Sequence, residues 1–206
     1  MSSTNRLSRI ALVAIMLAGS AVPASAFELT NVAFAPTIGT TTIPIGHAQF
    51  CKTHPDECGA YDHPIETMQL TDDRWDQLVA TNARLNDEIV PVTDEELYQV
   101  KEFWTYPDGY GDCEDIALAK RRALVNAGWE PSTLLMTVVR ERSGAGHAVL
   151  LVRTDRGDLV LDNQDGAVKL WSDTPYQFVK RQSQANAGEW VLIDDTRPVT
   201  TVASTQ

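Results

Sequence analysis

The sequence predicts an α+β domain in which helices come first and an antiparallel sheet follows. Three observations predict it. Apolar residues recur at helical spacing between Thr71 and Asn126. Beyond Pro131 the period switches to the alternating and continuous apolar runs of strands. A loop marked by Pro107, Gly109 and Gly111 separates the last two helical stretches, so the elements are punctuated as distinct units. Runs of helices followed by runs of strands belong to the α+β class rather than to a βαβ alternation.

Each element has its own signal. Trp75, Leu78, Val79, Asn82, Leu85, Asn86 and Ile89 trace one helical face, with Asp72 and Asp73 at the end where the helix dipole favours acids and Pro91 as a stop. Thr93 followed by Glu96 forms a capping box and predicts a second helix through Leu97, Val100 and Phe103. The third helix is predicted over 112–126, with Ile116, Ala117, Leu124 and Val125 inward, Lys120, Arg121 and Arg122 solvated, and Gly128 as its stop. Strands are expected over 133–140, 147–153 and 159–162, the last two joined by a hairpin turn at 155–158, with further strands over 168–171 and 190–193. Residues 27–66 read as an irregular lead-in, 67–193 as the main domain, and 194–206 as a polar, flexible tail.

Length and charge narrow the function. A chain of 206 residues is long enough to bury a core without a metal or a disulfide. Its formal net charge of -11 excludes a nucleic-acid binder that works by counterion release, and it favours divalent cations instead. Arg6 and Arg9, the apolar run 10–17 and the small-residue site Ala24-Ser25-Ala26 form a signal-peptide pattern over 1–26. The mature chain is therefore expected to begin at Phe27 and to reach the periplasm, with secretion as the alternative. The run is too short to cross about 30 Å of hydrocarbon, so no stable membrane insertion is expected. A monomer is expected.

Export changes how the cysteines read. Cys51, Cys58 and Cys113 make an odd number in an oxidising compartment. Cys51 and Cys58 enclose a loop-like stretch that a disulfide would close. The alternative is half a metal site, Cys-x2-His-x3-Cys, with His54 between the thiols and His47 or His63 as a further ligand. Either way Cys113 is left over.

Cys113 stands in Gly109-Tyr110-Gly111-Asp112-Cys113-Glu114-Asp115, at the first turn of the third helix. Unpaired N–H groups and the helix dipole favour a thiolate there and supply donors for an oxyanion. Asp112, Glu114 and Asp115 oppose it, so a reactive thiol needs those carboxylates occupied, and a cluster of hard oxygen ligands suits calcium. The plainer reading is an acidic first turn around an inert cysteine. His147 opens a strand after a flexible Ser-Gly-Ala-Gly stretch, and Asp162 ends the next strand of the hairpin. Antiparallel neighbours bring the two within hydrogen-bonding reach, so Asp162 would orient the imidazole and His147 would activate Cys113.

These motifs carry a resemblance. Gly111-Asp112-Cys113-Glu114-Asp115, Gly146-His147-Ala148-Val149-Leu150 and Asp158-Leu159-Val160-Leu161-Asp162-Asn163 resemble the bacterial transglutaminase-like cysteine peptidase family, as do the Trp75-x6-Asn82-x3-Asn86 helix and Trp104. The resemblance implies a papain-like fold, with the nucleophile at a helix N-terminus and His and Asp on adjacent strands. Its best-understood branch is a periplasmic, calcium-dependent protease that clips a large surface adhesin during biofilm dispersal. Carried over by motif, it implies Cys113, His147 and Asp162 as the triad, and Asp112 and Glu114, with Asp115, as calcium ligands. It also implies a protein substrate, with a cell-surface protein as the candidate. The Cys51/Cys58 pair and the Pro44-Ile45-Gly46-His47 lead-in resemble a different branch.

Two rival readings use the same residues: acyl transfer from a glutamine side chain, and a calcium-sensitive binding module without catalysis. Trp104 and Tyr106 are expected either in the core or along a substrate cleft. Trp75, Trp129, Trp171 and Trp190 are expected to pack. Asn82 and Asn86 lie on the buried side of their helix and need partners, for which the nucleophile loop or the metal is expected.

Overall fold

The computed structural model describes residues 33–197. The signal-peptide pattern over 1–26 and the tail beyond Arg197 lie outside the described residues. The predicted α+β order holds. Helices α1 (Ile45–Thr53), α2 (Asp72–Glu88), α3 (Asp94–Tyr98) and α4 (Cys113–Asn126) precede most of the sheet. Its strands are β1 (Thr37–Thr41), β4 (Leu134–Arg140), β5 (Gly146–Thr154), β6 (Gly157–Leu161), β7 (Lys169–Leu170), β8 (Gln177–Gln182) and β9 (Trp190–Ile193). They run antiparallel in the order β1-β9-β8-β4-β5-β6-β7. Two short strands, β2 (Val90–Pro91) and β3 (Tyr110–Gly111), pair in parallel and tie the end of α2 to the loop before α4.

The central strands are buried on both faces, which is why their sequences read as continuous apolar runs rather than strict alternation. Leu134, Met136, Leu150, Val152, Leu159 and Leu161 face the helices and meet Ala117, Leu118 and Leu124 of α4 and Leu78 of α2. Leu135, Val139, Val149, Leu151 and Val160 point the other way, onto Trp171, Tyr176 and Phe178. A sheet closed on both sides holds β5 and β6 firmly, and their ends carry two of the candidate site residues.

The lead-in belongs to this fold. Thr37, Ile38, Thr40 and Thr41 form an edge strand on β9, and α1 buries His47 and Phe50. The Thr-rich strand is exposed along most of its length, so no hydrophobic period announces it. Gly46 is where α1 meets Trp104. A Cβ there would stand 2.2 Å from the Trp104 ring, which is buried and hydrogen-bonded to Glu102. Gly46→Ala is therefore expected to destabilise the fold by about 2–3 kcal/mol, read as a lower urea midpoint at unchanged slope.

The second helix is shorter than predicted. Its capping box is present, with Glu96 N–H donating to the Thr93 hydroxyl and Thr93 N–H to Glu96, but it ends at Gln99, which takes a left-handed φ of 58°. The Phe103 N–H donates to the Asp94 carboxylate and folds the chain back over the helix start. Strand β8 escaped prediction because Gln177-Phe178-Val179-Lys180-Arg181-Gln182 buries polar side chains among its apolar ones.

Candidate active site

Cys113 is the first residue of α4 and is half-buried. Its thiol donates to Glu114 Oε2 at 3.1 Å, and the Ala148 N–H of β5 donates to its sulfur at 3.4 Å. The helix start is thus seated against the strand that carries His147. Burial pushes the Cys113 thiol well up, and the neighbouring Glu114 and Asp112 charges push it further. In this arrangement the thiol keeps its proton.

His147 and Asp162 meet as the hairpin predicts. The β5–β6 register sets Leu150 opposite Leu161, and His147 Nε2 lies 2.9 Å from Asp162 Oδ1. Two further groups fix the carboxylate: the Gln164 N–H donates to Oδ1 at 3.0 Å, and the Tyr176 hydroxyl donates to Oδ2 at 2.5 Å. Burial alone would raise this carboxyl, but the bonds from His147, Tyr176 and Gln164 outweigh it and hold Asp162 below the usual carboxylate range. Tyr176 also sets its ring 5.3 Å from the imidazole. Nothing in the local sequence marks Tyr176 for this role.

The acidic cluster differs from the one expected. Asp94, Asp112 and Glu114 bring ligand oxygens within 4.8 Å of one another, whereas Asp115 turns away to accept from the Thr105 N–H at 2.8 Å. Burial raises the Glu114 and Asp112 carboxyls, and Asp112 pushes Glu114 up further, while burial lifts Asp94 to about 6. Asp94 Oδ1 and Asp112 Oδ1 are buried without a hydrogen-bond partner. An all-oxygen set with two orphaned acceptors and excess negative charge fits a hard divalent cation.

With this geometry in hand, likeness to known proteins becomes informative. The sequence profile of the bacterial transglutaminase-like cysteine proteinases (BTLCP) matches residues 37–198. The chain belongs to that family. It is a cysteine peptidase with the transglutaminase-like α+β fold. The calcium-bound LapG of Legionella pneumophila is similar in fold, with a TM-score of 0.50 and 24% identity over 62% of this chain and 73% of that one. The EGTA-treated LapG of the same organism gives 0.49 and 28% over 59% and 72%. No curated protein matches the chain.

In the peptidase Cys51 and Cys58 form a disulfide that ties α1 to the 3-10 turn Pro55–Glu57. The disulfide leaves neither thiol for the alternative metal site with His54, and His47 is no fourth ligand either. The single lone pair of its neutral ring, at Nδ1, accepts from Trp190 Nε1 at 3.1 Å, while Nε2 lies 3.1 Å from the Gln182 amide, which leaves no lone pair for a metal. Burial, with Arg121 adding, pulls His47 down to about 4, so the ring is neutral. Glu57, held by that turn, accepts from the Tyr106 hydroxyl at 2.5 Å and from Arg122 at 3.0 Å. Trp104 is a core residue.

Three further expectations are corrected. Asn82 and Asn86 reach neither the nucleophile loop nor the acidic cluster. Asn86 Nδ2 donates to the Asp162 carbonyl at 2.8 Å, and Asn82 Nδ2 to the Gly166 carbonyl at 3.1 Å, so α2 grips the loop that follows β6. Lys120 and Arg121 are buried rather than solvated, Arg121 through bonds to the Leu134 carbonyl and the Tyr61 hydroxyl. Trp75 is 39% exposed and lines a surface groove of about 550 Å³ with Leu70, Leu159 and Leu170. Among the described residues no helix is long and apolar enough to cross a membrane.

Proposed function

We propose that the chain is an exported, calcium-dependent peptidase in which Cys113, His147 and Asp162 cleave a peptide bond of a protein substrate. The observation that carries this reading is the convergence of the Asp162–His147 bond at 2.9 Å with the strand residue Ala148, whose N–H holds the Cys113 sulfur. Cys113 Sγ attacks the carbonyl carbon after His147 takes the thiol proton. The imidazolium then protonates the leaving amine, and water hydrolyses the thioester. First-turn N–H groups of α4, beginning with that of Cys113, supply the oxyanion donors.

Asp94, Asp112 and Glu114 are the residues that would hold calcium, and the bound ion supplies positive charge to the acidic loop. Glu114 so engaged no longer serves as the acceptor of the thiol proton, which leaves His147 as its destination. The calcium-bound state of the Legionella protein supports calcium as the ion. Asp115 is a support for the Thr105 turn rather than a ligand. The signal pattern over 1–26 and the disulfide support an oxidising, extracytoplasmic location, the periplasm first. A cell-surface protein is the substrate class the family resemblance favours, and the chain acts as a monomer.

Incubation of the calcium-loaded enzyme with extracts of surface proteins, followed by labelling of new N-termini, tests the reaction class. New termini that vanish with Cys113→Ala support proteolysis. Ammonia release with intact chains would transfer the same triad to glutamine acyl transfer. Tyr176→Phe removes one hydrogen bond to the charged Asp162 and is expected to slow turnover by about 10- to 100-fold without altering substrate affinity. A matched set of kcat and KM values checks this.

A further inference from the structure

His147 has one lone pair for its task as a base. The ionised Asp162 only accepts, so the Nε2 that meets it at 2.9 Å carries the ring proton and the lone pair is on Nδ1. That lone pair is already engaged. The Gln164 side-chain amide stands 3.4 Å from Nδ1 as a donor, and it also donates to Glu141 Oε1 at 2.8 Å, which keeps its NH2 end toward the imidazole. Glu141 opens the turn that joins β4 to β5, and its other oxygen accepts from the Ser143 hydroxyl at 3.2 Å. A chain of bonds thus runs from the Ser-Gly-Ala-Gly turn through Glu141 and Gln164 to the imidazole. Gln164 is exposed and His147 is 4% exposed, so the amide sits on the solvent side of the ring. The main-chain N–H of Gln164 is bonded to Asp162 Oδ1, so its side chain is free to swing while the carboxylate keeps that support. A lone pair takes one donor at a time. While Gln164 occupies Nδ1 the Cys113 thiol has no acceptor there, and it donates to Glu114 instead.

We propose that Gln164, held by Glu141, is a latch on the catalytic base: the thiol proton passes to His147 only when the Gln164 amide swings off Nδ1. This deepens the proposed triad and rests on it. With the latch open the S–H bond breaks, its electron pair stays on sulfur and the proton bonds to Nδ1. The imidazolium N–H then repels the NH2 end of the amide, so the latch stays open until the leaving amine takes the proton.

The test is the rate of iodoacetamide labelling at Cys113 in the full chain, with calcium and without substrate. Gln164→Ala keeps the main-chain N–H and is expected to label about 3- to 10-fold faster than wild type, the weight of one hydrogen bond. Glu141→Ala releases the amide and is expected to act in the same direction, and the double variant is expected to gain nothing beyond Gln164→Ala. Thermal melts run alongside. Gln164→Asn, whose shorter side chain keeps its amide off Nδ1, carries the same expectation if the alanine variant melts without cooperativity. Labelling that is unchanged or slower in a folded Gln164 variant overturns the latch, as does a double variant in which the two gains add. An acceleration that persists in Gln164→Ala/His147→Ala also overturns it, because the amide would then only shield the sulfur. The triad is read separately. If wild-type labelling ignores His147→Ala, the triad itself is wrong. If it needs His147 and Gln164→Ala does not speed it, only the latch fails.

Discussion

Calcium in hundredfold excess over its dissociation constant is expected to raise the unfolding free energy by about 2.7 kcal/mol. For a domain of this size that is about 5–10 °C in the thermal midpoint. The Asp112→Asn/Glu114→Gln double variant is expected to lose the rise. Three carboxylates whose oxygens lie within 4.8 Å of one another repel unless protonated or bridged by a cation. The pH dependence in chelator follows with a definite sign. Burial first, and neighbouring acids after it, lift Asp94 to about 6 and Asp115 to about 8. A carboxyl raised in the folded state binds its proton more tightly there than in the unfolded chain. Its contribution is complete below the unfolded value of about 4 and is lost as pH climbs through the folded value. Chelated protein should therefore lose stability from about pH 4 to pH 8, and calcium should add most at the upper end. Scanning fluorimetry across pH, with and without calcium, reads both effects. A calcium shift that survives the double variant would place the ion elsewhere.

Asp162→Asn carries the second large effect. The carboxylate receives His147 Nε2 and the Gln164 N–H on one oxygen and the Tyr176 hydroxyl on the other. An amide of the same shape removes the charge and offers a donor where the site requires an acceptor. His147 is then pushed toward the tautomer with its proton on Nδ1, and the lone pair that would receive the thiol proton is lost. A fall in turnover of about 10³- to 10⁴-fold is expected, the penalty for the wrong tautomer in a catalytic triad. The melting temperature should move little by comparison, since the shape and most bonds persist. Turnover and melting measured on one preparation check both halves.

The parts of the site that were legible in the sequence sit where elements begin or end. Cys113 follows a Gly-rich loop and opens a helix, and His147 and Asp162 bound two strands of a hairpin whose register is fixed by its apolar run. Asp94 was not legible as a companion of Asp112 and Glu114. It lies in the first turn of another helix, where an acid is already explained by the dipole, and only the fold-back at Phe103 brings it alongside. Asp115 follows Glu114 in sequence, and its Oδ1 accepts from the Thr105 N–H of the preceding loop, a partner that the sequence does not announce. Lys120 and Arg121 resemble any basic run on a wet helix face. Arg121 is buried through the Leu134 carbonyl and the Tyr61 hydroxyl, partners that its own helix does not announce. Tyr176 follows the same rule, since a tyrosine supporting a distant carboxylate has no local signature.

The central claim is that the thiol of Cys113, held neutral by burial and by its acidic loop, is released to His147 when those acids hold calcium. The rate of iodoacetamide labelling at Cys113, mapped by peptide mass in calcium and in chelator, tests it most directly. The account predicts fast labelling in calcium, slow labelling in chelator, and slow labelling in both for His147→Ala. Labelling that is equally fast in chelator, or that ignores His147→Ala, would contradict it.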